Sequence, residues 1–286
     1  MNLRPGPLLL LAFVLGTLAP RIALATPGLD ACTGVVEPDA NGVVAIDQPG
    51  TWCLDRDHVA VLSSTYRRYI EILADDVTLD CRGHRLTFGG GYSEPRAITG
   101  NGHRRIVVRN CDVRGVWLGV SLAASSLAEG EFVVEDNTFR GNSRSIEVNG
   151  AHSVIRRNRI YDSSGEVVLV ASNGGPMVID NLIDGVSATP FVLWVIAYDG
   201  GEVRGNTIRN VPAGDMFNIH DTVRIGDSGL NPGRPVTVRD NVIVGSPYTR
   251  GIACESPTVH LVDNVITGVA EAYSGCTDAG DNDISP

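Results

Sequence analysis

The stretch FVVEDNTFRGN, from Phe132 to Asn142, decides the reading of this chain, because five later stretches repeat its shape. They are SVIRRNRIYDS from Ser153, PMVIDNLIDGV from Pro176, GEVRGNTIRNV from Gly201, VTVRDNVIVGS from Val236 and VHLVDNVITGV from Val259. Each holds an Asn at the same point: Asn137, Asn158, Asn181, Asn206, Asn241 and Asn264. Three positions earlier stands Val134, Ile155, Val178, Val203, Val238 or Leu261. Two positions later stands Phe139, Ile160, Ile183, Ile208, Ile243 or Ile266. Apolar residues therefore alternate on both sides of the Asn, which is the period of a strand. An earlier stretch, RIVVRNCDVRGV from Arg105, fits with Cys111 in the Asn place.

The Asn-to-Asn spacings are 21, 23, 25, 35 and 23 residues. Helical-pair repeats need about 33 residues or more, so this period excludes them. Each unit reads as strand, corner at the Asn, strand, then a more variable turn. A third short strand follows, as in GVSL from Gly119, SIEV from Ser145, VVLV from Val167 and GIAC from Gly251. The expected architecture is all-β: a parallel β-helix of roughly eight to nine rungs, each pairing its backbone with the rungs above and below at about 4.8 Å. The corner Asn is expected in the left-handed region, which Asn tolerates, with its side chain bonding along the axis. The six Asn are thus read as structure, not as a catalytic set.

The N-terminal part adds a resemblance. Gly50-Thr51-Trp52-Cys53-Leu54 and the run from Ile72 through Asp80-Cys81-Arg82-Gly83-His84 look like first rungs of the same repeat. From about Gly50 to Cys276 the chain resembles the right-handed parallel β-helix superfamily, and is similar to pectate lyases and to periplasmic β-helix repeat proteins. The resemblance implies a right-handed coil, with residues 26–70 forming a disulfide-linked N-terminal cap and first strands and residues 71–286 the helix proper. It says little about chemistry, because the superfamily holds lyases, hydrolases, epimerases and non-enzymes.

Composition narrows the function. The 286 residues carry 33 acids and 23 bases, a net charge of -10, and every base is Arg. The absence of Lys excludes Schiff-base lysines and lysine general bases. An acidic chain without a basic run argues against nucleic acid as a partner. Residues 1–25 read as a signal peptide: Arg4 in the positive region, Leu8 to Val14 apolar, and Ala23-Leu24-Ala25 as the cleavage site. No later stretch reaches the ~18 apolar residues of a membrane span. The expected location is secreted or periplasmic. In such a compartment the six cysteines, Cys32, Cys53, Cys81, Cys111, Cys254 and Cys276, are expected as disulfides. Their positions on the expected rungs favour sequential pairing: 32 with 53, 81 with 111, 254 with 276.

The 35-residue spacing marks an insertion between Asn206 and Asn241. Insertions on a solenoid fall in turns and often build the binding face. If Val223 and Ile225 point inward, then Asn218, His220, Thr222 and Arg224 point outward, with Asp215 and Asp221 nearby. A proton acceptor beside a fixed cation is what uronate lyase or epimerase chemistry needs. His220, Arg224 and Asp221 are therefore the catalytic candidates. Asn218-Ile219-His220-Asp221 resembles the Asp-Pro-His-Asp motif of β-helix alginate epimerases in its last two residues only. Asn218, Thr222, Asp215, Trp194 and Tyr198 are candidates for substrate contact, and Glu147 and Asn149 extend the same face if the rungs stay in register. No spacing supports a transition-metal site, and no cofactor is expected. Asp278, Asp281 and Asp283 are candidates for a weak Ca²⁺ site, against a solvated acidic tail.

Two functions compete. One is binding, with lyase- or epimerase-type modification, of an extracellular polysaccharide. The other is a non-catalytic envelope scaffold or adhesion surface. Net negative charge repels polyuronates unless arginines cluster locally. The sequence carries no signal for an oligomeric state.

Overall fold

A computed structural model describes residues 31–61, 67–89, 94–187, 191–212, 220–226 and 234–285. Within the unit Cys32–Pro286 these residues form three parallel sheets of 11, 10 and 10 strands. The chain visits the sheets in a fixed order. In one turn Val133–Glu135 lies in the first sheet, Thr138–Arg140 in the second and Arg144–Asn149 in the third. Each strand pairs in parallel with the equivalent strand of the next turn, so the architecture is the all-β solenoid expected. The strands Gly34–Val35, Val44–Ile46 and His58–Ala60 already belong to the three sheets.

The repeated apolar positions stack as the periodicity requires. Val134, Ile155, Val178, Val203, Val238 and Leu261 are buried one above another in the first sheet. Phe139, Ile160, Ile183, Ile208, Ile243 and Ile266 do the same in the second. Each such side chain contributes about 1.5–3 kcal/mol by leaving water.

The corner differs from expectation in one detail. The left-handed residue is the one before the Asn: Asp136 (φ 56°), Arg157 (φ 53°), Asp180 (φ 54°), Gly205 (φ 64°), Asp240 (φ 56°) and Asp263 (φ 54°). Placing the sharp turn one residue early rotates the Asn side chain into the interior. There it hydrogen-bonds along the axis. The Asn158 backbone N–H and Nδ2 both donate to Asn181 Oδ1, each at 3.0 Å. Asn181 Nδ2 donates in turn to Asn206 Oδ1 and to the Ile155 carbonyl, both at 2.9 Å. The chain of contacts runs from Asn137 to Asn264 and gains a seventh member, Asn282. Asp278 ends it, accepting from Asn282 Nδ2 at 2.7 Å and from the Tyr273 hydroxyl at 2.9 Å. At the other end, Cys81 and Cys111 occupy the ladder position and are joined covalently.

All three disulfides pair sequentially: Cys32–Cys53, Cys81–Cys111 and Cys254–Cys276. Two of them tie the first and last rungs, where strand edges are unpaired on one side.

Candidate functional site

The outer face of the third sheet gathers most of the candidates. Its strands are the longest: Phe191–Ala197 and His220–Gly226 have 7 residues each. Strict alternation fails at their start. On the Arg144–Asn149 strand, Ser145 and Ile146 are both fully buried, and their successive N–H groups both donate to the Val167 carbonyl at 3.0 and 3.1 Å. Two donors sharing one acceptor are the mark of a bulge, which turns two neighbouring residues to the same side. Adjacent residues are likewise buried together in His220–Gly226. Thr222 was expected outward; it is fully enclosed beside Val223, and Asp221 takes the outer face with Arg224.

Two columns of side chains therefore run along this face. One aligns Phe191, Asp221, Arg250 and Glu271. The other aligns Ser121, Glu147, Leu169, Trp194, Arg224 and Ala253. Glu147 and Trp194 thus share a column two rungs apart. Asn149 is in register with Ala123 and Ala171 on the same sheet. Tyr198 falls in the turn after Phe191–Ala197. His220 opens its strand, half-buried and in register with Thr249. Four residues of extended chain put its Cα about 10–13 Å from that of Arg224. Asp215 and Asn218 lie outside the described residues.

The centre of the face is an aromatic pair covered by a cation. Phe191 and Trp194 have ring centroids 5.2 Å apart. The Arg224 guanidinium carbon sits 4.9 Å from the Phe191 centroid and 5.9 Å from that of Trp194, within cation–π range. Arg224 also donates to Glu255 at 2.7 Å and stands 3.7 Å from Asp221. Asp221 accepts from Arg250 at 3.1 Å. Farther along, Trp117 lies under Arg96 at 5.1 Å and Arg144 at 6.0 Å, and Arg144 is bonded to Glu147 at 2.6 Å and also to Glu166.

Asp221 stands apart electrostatically. Its side chain is only 9% exposed. Burial pushes its carboxyl above the ordinary value, and Glu271 adds to this, against the pull of Arg250 and Arg224. Other carboxylates behave oppositely: bonds from Asn210 and Arg209 hold Asp184 low, and Arg157 holds Asp136 low. A carboxyl that protonates more readily than its neighbours, set beside cations and an aromatic surface, can transfer a proton.

Phe191, Arg250, Glu255 and Glu166 were not singled out by sequence. Each becomes visible only when the register places it one rung from a candidate. Among the described residues no helix is long and apolar enough to cross a membrane.

Residues 96–270 match the family described as the right handed beta helix region. With a parallel solenoid in the structure and a match over more than half of its length, this chain belongs to the right-handed β-helix family. No curated protein and no solved structure matches it.

Proposed function

We propose that this is an exported protein that binds an extracellular polysaccharide along the outer face of the third sheet and modifies it by proton transfer at Asp221. The observation that carries the reading is the juxtaposition of the tilted Phe191–Trp194 pair, with Arg224 over it, and a buried carboxyl of raised proton affinity. Flat aromatic surfaces take the apolar faces of sugar rings. Asp221 between Arg224 and Arg250 supplies an acid–base group with cations at hand to neutralise a sugar carboxylate, the requirement of lyase or epimerase chemistry. Export is supported by the signal-like residues 1–25 and by three disulfides.

A second reading, a non-catalytic scaffold or adhesion β-helix, is favoured by one observation. Arg224 is already held by Glu255 at 2.7 Å and Arg250 by Glu271 at 2.6 Å, so the face is electrically closed. The test is a screen of purified protein on alginate, polygalacturonate and glucuronan, following unsaturated products by ultraviolet absorbance and epimerisation by NMR. Turnover that disappears in Asp221→Asn, with the melting temperature kept, supports modification. Binding without turnover in the wild type leaves the scaffold reading. No binding to any glycan overturns the proposal.

A further inference from the structure

The second sheet shows a charge pattern that the overall acidity hides. Between Arg85 and Arg209 its strands present five arginines outward, Arg85, Arg114, Arg140, Arg159 and Arg209, against three acids, Asp112, Asp162 and Asp184. On a chain of net charge -10 this is a local basic surface. Two of the three acids are engaged by side chains of the same face. Asp112 accepts from Arg85 at 3.3 Å and from Arg114 at 2.8 and 2.6 Å. Asp184 accepts from Arg209 at 2.8 Å and from Asn210 at 2.6 Å.

Arg140 and Arg159 are left without a carboxylate partner among the described residues, although most arginines of the chain have one. Both are exposed, and they sit on neighbouring strands. Arg140 is in register with Tyr161 and Arg159 with Thr138. The two Cα atoms are thus offset by about 4.8 Å across the sheet and about 6.6 Å along it. The Arg140 guanidinium carbon sits over the Tyr161 ring, 4.2 Å from its centroid. A guanidinium held over a ring by cation–π attraction still has N–H donors to offer an oxyanion.

Arg159 also lines a groove of about 750 Å³ across three rungs, together with Thr138, Leu182, Asp180 and the Asp136–Arg157 ion pair. The groove thus alternates cations with acceptors. Asp180 at this corner and Asp162 after Tyr161 would repel a continuous line of phosphates. They suit a ligand whose carboxylates are spaced by hydroxyl groups, since a hydroxyl donates to a carboxylate.

We propose that the outer face of the second sheet is an acidic-polysaccharide site, in which Arg140 and Arg159 hold sugar carboxylates and Asp180 accepts from ring hydroxyls. It is a different face from the one assigned above and stands independently of that assignment.

The experiment is calorimetric titration of the full chain with polygalacturonate, with its fully methyl-esterified form, and with an oligothymidylate of matched charge. Wild type binds polygalacturonate with an affinity that falls as salt rises. The double variant Arg140→Gln/Arg159→Gln binds it at least about 10-fold more weakly, the loss of two charge-assisted bonds. Repeating the comparison in a Trp194→Ala background, which removes the third-sheet contact, separates the two readings: the second-sheet assignment requires the same loss on Arg140→Gln/Arg159→Gln there. Wild-type affinity within about 2-fold in the double variant would place the carboxylates elsewhere. Equal affinity for the methyl ester, or for the oligothymidylate, would also overturn the proposal.

Discussion

The Asn corner and the outer face of the third sheet are built from the same repeat, and they use it in opposite ways. At the corner rung after rung from Asn137 onward uses the same residue for the same bond: Asn158, Asn181, Asn206 and Asn241 are buried and linked at 2.9–3.0 Å. On the third sheet successive rungs place Glu147, Leu169, Trp194, Arg224 and Ala253 in one column. Repetition marks where the solenoid is held together, and departure from repetition marks where the chain is free to carry chemistry. Removing a side chain should therefore hurt stability at the corner and binding at the face.

The largest effect is expected at the ladder. Asn181→Ala strands the buried Asn158 N–H, takes one of two acceptors from Asn158 Nδ2, and removes a donor from both Asn206 Oδ1 and the Ile155 carbonyl. Several unsatisfied buried groups cost about 3–5 kcal/mol together, read as a large drop in the denaturation midpoint. A variant melting like the wild type would break the comparison at its stronger end. Next in size is the terminal staple. Replacing Cys254 and Cys276 with Ser opens a loop of separation 22 and should cost about 3 kcal/mol, measured by chemical denaturation.

The carboxylates sharpen the contrast through pH. Asp184 is held below its ordinary value, so its contribution is present above the unfolded pKa and is lost as pH falls through the depressed one. Asp184→Asn should lower the melting temperature at neutral pH, with the deficit closing in acid. Asp221 is raised, so its contribution is present below the unfolded value of about 3.9 and is lost as pH rises through the folded value. Asp221→Asn should be as stable as wild type or more so at neutral pH. Melting curves against pH in which both variants respond alike would remove the distinction between a structural and a poised carboxylate. The smallest stability effect is expected for Arg224→Gln, about 0.5 kcal/mol or less for a partly exposed ion pair, with the loss appearing in glycan affinity instead.

The same difference explains what the sequence made legible. Six Asn with Val or Ile at fixed offsets are visible without a structure, because the ladder needs the same volume and the same amide on each rung. The sequence pattern puts the left-handed residue one step late, on the Asn, since Asn, Asp and Gly all tolerate positive φ and the pattern alone does not say which of the Asp180-Asn181 pair turns. The face was harder. The step from the corner Asn to the outer column is variable: Arg144 lies 7 residues after Asn137, whereas Asp221 lies 15 after Asn206. That variability hid Phe191, Arg250 and Glu255 from sequence reasoning. The bulge at the start of the strand then moved Asp221 outward and Thr222 inward, which strict alternation does not foresee.

The most direct test of the central claim is a crystal structure of the protein soaked with an alginate hexasaccharide. A sugar ring is expected over Phe191 and Trp194, with one of its oxygens or ring hydrogens within reach of Asp221. Crystals in which the face stays bare while the sugar binds elsewhere, or in which no sugar binds at all, would contradict it.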